Sequence, residues 1–116
     1  MNDPDCIFCK IISGEIPSDK VYEDETLFAF KDIQPVAPVH ILIVPKKHIP
    51  GVNEFSQEDE PIAGKLFSAA RKIAAEQGVA ENGYRMVVNT GDHGRQSVHH
   101  LHLHLIGGKR LEAALG

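Results

Sequence analysis

The chain predicts an α+β domain built on a five-stranded antiparallel sheet, with one short N-terminal helix and one long helix. Three observations lead there. His100-Leu101-His102-Leu103-His104-Leu105 alternates imidazole and leucine at period two, the period at which a strand sends successive side chains to opposite faces. His40-Ile41-Leu42-Ile43-Val44-Pro45 is the most apolar run, and its length and β-branching favour a central strand over a helix. Ile62, Leu66, Ala69, Ala70, Ile73 and Gln77 trace one stripe at helical spacing.

The elements follow in order. Ile7, Phe8, Ile11 and Ile12 sit at helical spacing and Ser13-Gly14 supplies a stop, which predicts the short first helix; Met1–Asp5 before it is polar and expected to fray. Val21–Glu23 and Thr26–Asp32 read as two strands of a hairpin around Asp24-Glu25. Gln34-Pro35-Val36-Ala37-Pro38 is a rigid loop, because each proline removes a donor and pushes its predecessor out of the helical region. The central strand His40–Pro45 leaves the sheet at Lys46–Gly51. The long helix has two competing starts: a capping box at Ser56 and Asp59, or a start near Glu60 that keeps Pro61 in the first turn. Gly78 is its cap, Tyr84–Asn89 the fourth strand, and Thr90–Gly94 turns into the histidine strand, which stops at Gly107-Gly108.

At 116 residues the chain is read as one domain, 1–116 with its core at about 6–110, large enough to fold without disulfides. A net charge of −4, with no Lys/Arg run longer than two, argues against nucleic-acid binding by backbone neutralisation. No apolar run approaches the ~18 residues of a membrane span, and no basic-then-apolar start resembles a signal peptide. The expectation is a cytoplasmic protein with no membrane partner.

Two features carry chemistry. The leucine face of the histidine strand wants a core, so His100, His102 and His104 form a row of imidazoles on the other face. Such a row can attack, shuttle protons or hold a metal near neutral pH. Cys6 and Cys9 sit as Cys-x-x-Cys, which in a reducing compartment points to metal or redox work more than to a structural disulfide.

His100-Leu101-His102-Leu103-His104-Leu105-Ile106 matches the His-φ-His-φ-His-φ-φ signature, where φ is apolar, and Gly94-Arg95-Gln96-Ser97-Val98 matches its usual lead-in. Phe30–Ile33, Pro38–His48 and Tyr84–Asn89 agree as well. On these residues the sequence resembles the histidine-triad (HIT) superfamily, in its Hint-like branch of small purine nucleoside phosphoramidases, over roughly residues 6 to 110.

The resemblance implies a HIT-like fold and a covalent mechanism. His102 is the nucleophile on the α-phosphorus of an adenosine or guanosine phosphoramidate, forming a nucleotidyl-histidine that water hydrolyses to AMP or GMP. His104 and His40 orient groups and relay protons around the leaving amine. Ser97, with the backbone near Gln96, binds phosphate oxygens or the leaving group, and Asn89 joins the same polar cluster. Asp32 accepts from the ribose hydroxyls, and Ile7, Phe8, Ile11 and Ile33 form the purine slot. The resemblance further implies no catalytic cofactor, a homodimer, and a C-terminal tail (Lys109–Gly116) on the leaving-group side. Relatives that carry Cys-x-x-Cys use it in a structural zinc site, whose ligands here are Cys6, Cys9, His48 and His100. His99 stands where relatives often have an aromatic residue; it is the alternative to His100 as ligand, but period two puts it on the opposite face.

Rival readings stay open. A dinucleoside polyphosphate hydrolase of the same superfamily uses the same nucleophile, but that branch commonly has Gln where this chain has His104. A nucleotide-binding regulatory or scaffold module needs the same pocket without turnover. Metal buffering is disfavoured, because a closed four-ligand zinc site exchanges metal poorly.

Overall fold

The computed structural model describes residues 3–113. Its elements are α1 (Ile7–Ser13), β1 (Lys20–Glu23), β2 (Leu27–Lys31), β3 (Val39–Pro45), two single 3-10 turns (Val52–Glu54 and Gln57–Asp59), α2 (Glu60–Glu76), β4 (Tyr84–Val87) and β5 (Leu103–Gly107). The five strands form one antiparallel sheet in the order β1-β2-β3-β5-β4, so β5 inserts between β3 and β4. The α+β architecture with one short and one long helix is the one the sequence predicts.

β3 is central and buried on both faces. On one face Ile41 and Ile43 join Leu27, Ala29, Leu101, Leu103 and Leu105 under the α2 stripe of Leu66, Ala69, Ala70, Ile73 and Ala74. On the other face Leu42 and Val44 pack with Phe28, Phe30, Cys6, Phe8 and Cys9, covered by α1. Leu105 is fully buried in the larger cluster. Leu105→Ala is therefore expected to lower stability by about 2–5 kcal/mol, read as a shifted denaturant midpoint at unchanged slope.

Both readings of the long helix's start find a place. Asp59 Oδ2 accepts from the Ser56 backbone N–H at 3.1 Å and hydroxyl at 3.0 Å, closing the capping box on the 3-10 turn. α2 then begins at Glu60 with Pro61 in its first turn, where the missing N–H has no intrahelical partner to lose. It ends as expected: Gly78 has φ +76°, its N–H donates to Ala75 O, and Val79 N–H donates to Ala74 O, a Schellman closure.

Three expectations are corrected. The histidine strand is shorter than the alternation suggests, since β5 starts at Leu103 and His100–His102 lie outside the ladder. The ladder with β3 runs from Val39↔Gly107 to Ile43↔Leu103. Beyond it stands Pro45, which has no N–H to donate, and Leu101 N–H bonds Ile49 O at 2.7 Å instead. β4 stops at Val87, its partner there being His104, and does not reach Asn89. In the N-terminal segment Asp3 is not frayed: its carbonyl accepts from Cys6 N–H at 3.0 Å. Met1 and Asn2 lie outside the described residues. So do residues 114–116 of the tail; within its described part, Glu112 O accepts from Arg85 Nη2 at 2.7 Å, beside β4. Among the described residues no helix is long and apolar enough to cross a membrane.

Candidate active site and metal centre

Although the ladder stops early, the alternation persists. Leu101, Leu103 and Leu105 all enter the α2-side core. On the opposite side His100 and His102 are buried and His104 is half-buried. Phe8, presented by α1, meets the His102 ring edge-on at a centroid distance of 5.1 Å and the His100 ring at 5.9 Å. The His102 and His104 rings lie 5.0 Å apart. The row is thus clamped between a strand and a helix.

Hydrogen-bond partners assign the tautomer of each ring. His102 Nδ1 lies 2.7 Å from the carbonyl oxygen of His100. A carbonyl only accepts, so Nδ1 carries the proton and Nε2 keeps its lone pair. Burial lowers the His102 pKa, against the opposing pull of that carbonyl, and holds the ring neutral at pH 7. A neutral imidazole with a free, oriented Nε2 is a nucleophile without prior deprotonation.

The neighbouring pair has the reverse arrangement. Val36 N–H donates to His40 Nδ1 at 3.1 Å, so the proton of His40 is on Nε2. That Nε2–H faces His104 Nδ1 at 3.0 Å and Asp32 Oδ2 at 3.4 Å. With Nδ1 accepting, His104 holds its own proton on Nε2. Burial lowers His40, against the raising effect of the Asp32 charge. His104 is pushed down to about 4, first by burial and then by its histidine neighbours. Asp32, His40 and His104 are close enough for a shared metal ion. The Val36 bond argues against that use, because His40 Nε2 would have to shed its proton while Nδ1 still accepts. A directed chain, Val36 to His40 to His104, is what this geometry builds.

Cys6, Cys9, His48 and His100 form a second cluster with the opposite chemistry. His100 Nε2–H donates to Pro45 O at 2.8 Å, which turns its Nδ1 lone pair inward. There it meets Cys6 Sγ at 3.3 Å, Cys9 Sγ at 3.6 Å and His48 Nδ1 at 3.2 Å, while His48 Nδ1 lies 3.4 Å from Cys9 Sγ. Tetrahedral zinc with ordinary bond lengths sets N···N edges near ~3.3–3.4 Å and S···N edges near ~3.6 Å. The donor set fits such an ion. Burial raises the Cys6 thiol and lowers His100 to about 4, penalties on charge that a bound dication reverses for the thiol. Cys6 has a further role as the N-cap of α1, its sulfur accepting from Cys9 N–H at 3.4 Å. His99 is exposed and outside the cluster, so His100 is the residue brought to it.

The family model described as "HIT domain" matches residues 13–111, most of the chain. The chain belongs to the HIT family. It is 53% identical over 105 residues to the purine nucleoside phosphoramidase of Escherichia coli K12, covering 90% of this chain and 88% of that protein. A solved histidine triad protein from Clostridium difficile superposes with a TM-score of 0.96 at 46% identity, covering 99% of this chain and 100% of that one. A HIT family hydrolase from Legionella pneumophila gives 0.93 at 45% identity, covering 97% and 100%.

Within this HIT site the remaining candidate residues are placed unevenly. Phe8 is at the centre, against His102 and, at 5.5 Å, Phe30. Ile11 is partly buried beside it, Ile7 is about half exposed and Ile33, at 93%, projects into solvent. Asp32 Oδ1 accepts from Gln34 N–H at 2.9 Å, so one oxygen closes a turn while the other faces His40. Gln96 is committed internally. Its Nε2 donates to Pro50 O at 2.6 Å and Val98 O at 3.0 Å, and its Oε1 accepts from Gly91 N–H. Its backbone N–H is committed as well, donating to Gly91 O at 3.0 Å. Ser97 is exposed, and Asn89 is partly buried beyond the end of β4. Two groups the sequence did not single out, Val36 N–H and Pro45 C=O, orient candidate side chains; both act through main chain, which side-chain patterns do not reveal.

Proposed function

We propose that this chain hydrolyses the P–N bond of purine nucleoside 5′-phosphoramidates through a nucleotidyl-histidine on His102, releasing AMP or GMP. The observation that carries this reading is the 2.7 Å contact that keeps the His102 proton on Nδ1 and its Nε2 free. In the first step the Nε2 lone pair attacks the α-phosphorus. The P–N bond breaks as the departing amine takes up a proton from solvent, guided by the hydrogen bond that His104 Nε2–H donates at the leaving group. Water then attacks the phosphorus, the N–P bond to His102 breaks, and the water's proton passes to solvent. His40 holds His104 in the required tautomer throughout. Ser97, Asn89 and the backbone near Gln96 bind phosphate oxygens, Asp32 the ribose, and Ile7, Phe8, Ile11 and Ile33 the purine.

These steps are carried by the chain's own side chains and need no catalytic cofactor. Cys6, Cys9, His48 and His100 hold a structural zinc ion; four protein ligands complete its coordination, so what it supplies when bound is cross-linking of α1 to the sheet. The working form is a cytoplasmic homodimer of single-domain chains, with no nucleic-acid or membrane partner. The E. coli relative, by its name, supports the substrate class.

The test compares kcat/KM for an adenosine phosphoramidate and a dinucleoside polyphosphate. Because His104 offers a hydrogen bond suited to an amine, the phosphoramidate should lead by about 100-fold or more. The reverse order would favour the polyphosphate hydrolase, and tight AMP binding without turnover of either would favour a binding module.

The pH profile is a second expectation. With His40 lowered and His104 near 4, kcat/KM should stay flat from pH 8 to below the ~6.5 of an ordinary imidazole, falling only toward about 4. Stability runs in the same direction. Below ~6.5 the unfolded histidines bind protons that the folded ones refuse, so Tm is highest above that pH and declines as pH falls toward about 4. A half-loss of kcat/KM at pH 6.5, with no decline of Tm below that pH, would contradict the assigned neutral pair.

A further inference from the structure

The metal-ligand set leaves one acidic residue unexplained. Asp3 touches the cluster in three ways. Its carbonyl accepts from Cys6 N–H at 3.0 Å, its backbone N–H donates to Cys9 Sγ at 3.5 Å, and its Oδ2 lies 3.6 Å from His48 Nε2. Its Oδ1 accepts from Asp5 N–H at 2.9 Å, which fixes the carboxylate's direction. One residue thus contacts both cysteines and one histidine of a four-member set.

The two histidines of the set are otherwise alike in needing a partner on the far ring nitrogen. His100 has the buried Pro45 carbonyl at 2.8 Å. His48 is less enclosed, and Asp3 Oδ2 is what its Nε2 faces. A carboxylate there favours the Nε2–H tautomer and aims the Nδ1 lone pair at the cluster. The N–H at Cys9 Sγ eases the charge of a thiolate in a buried place.

We propose that Asp3 is the outer partner of His48 and a positioning residue of the metal centre, closing the segment before α1 over the ligands and setting how tightly the metal is held. This rests on the metal reading above. It assigns a role to a residue outside the matched range 13–111, in a stretch whose sequence predicts fraying.

The test is zinc affinity and release rate, by competition with a chromophoric chelator, on the full chain and on Asp3→Ala, Asp3→Asn and Asp5→Ala. The Co²⁺-loaded forms report coordination by their d–d and thiolate charge-transfer bands. Asp3→Ala should weaken zinc by about 10–100-fold and speed its release. Asp3→Asn, which keeps an acceptor oxygen without the charge, should recover part of that loss. Asp5→Ala, whose lost carboxylate makes no contact with His48 Nε2, should stay near wild type, and the Co²⁺ bands should remain tetrahedral in all four proteins. Affinity unchanged within about twofold in Asp3→Ala, or an equal loss in Asp5→Ala, would overturn the proposal while leaving the metal centre standing. Absence of thiolate–Co²⁺ bands in the wild type would instead remove the metal reading, and this inference with it. If Asp3→Ala melts before metal can be measured, Asp3→Asn decides: wild-type affinity and release with a lost charge would overturn the electrostatic role.

Discussion

His102→Ala is expected to lower turnover of an adenosine phosphoramidate by about 10,000-fold or more, with AMP still bound. The size follows from the geometry. Only His102 among the row combines an Nδ1–H held by a carbonyl with a lone pair on Nε2. His104 has its proton on the other nitrogen, fixed by His40, and so cannot replace it without breaking the chain that begins at Val36. The mutant loses a ring packed against Phe8, so circular dichroism and AMP calorimetry belong in the same experiment. Turnover within tenfold of wild type would remove His102 as nucleophile. His104→Ala should be less severe, about 10²–10⁴-fold, and least damaging for substrates whose leaving group needs no proton.

Removal of the metal proposed for the Cys6, Cys9, His48 and His100 cluster carries the second large effect. Chelation, or Cys9→Ala, is expected to lower Tm by more than about 10 °C, because ligand binding energy in such sites is folding energy. Turnover should fall with it, for a reason specific to this chain. His100 belongs to both centres: its ring faces the cysteines while its carbonyl fixes the His102 tautomer. Phe8 lies one residue before Cys9 and packs on His102, a second link between the centres. Loosening α1 therefore loosens the nucleophile. A chelated protein with unchanged melting and full activity would show the two centres to be independent.

Much of the fold is legible in the residue pattern. Period-two alternation separates a leucine face from a histidine face even where ladder hydrogen bonds are absent, since the alternation outlasts the pairing. The stripe from Ile62 to Ile73 marks α2, and Gly78 its end, for reasons of burial and left-handed backbone that need no tertiary information. What stays illegible is mostly main chain and distance. The start of β5 at Leu103 depends on Pro45 lying beyond its last partner, far earlier in the chain. The tautomers of His40 and His100 depend on Val36 N–H and Pro45 C=O, groups every residue type can offer or nearly so. Ser56 and Pro61 give two starts for α2 because a 3-10 turn and a helix follow one another there. The purine slot is the least determined part. A stripe such as Ile7, Phe8 and Ile11 serves core and ligand equally well, and only Phe8 of the three is buried against the His102 ring.

Trapping the covalent state tests the role of His102 most directly. A purine nucleoside phosphoramidate is mixed with excess enzyme, quenched within the first turnover, and read by intact mass and peptide mapping. The expected result is an adduct of one nucleoside monophosphate on His102, decaying at the rate at which free nucleotide appears and absent from His102→Ala. Full release of nucleotide with no adduct at any quench time, or an adduct on another residue, would contradict covalent catalysis by His102.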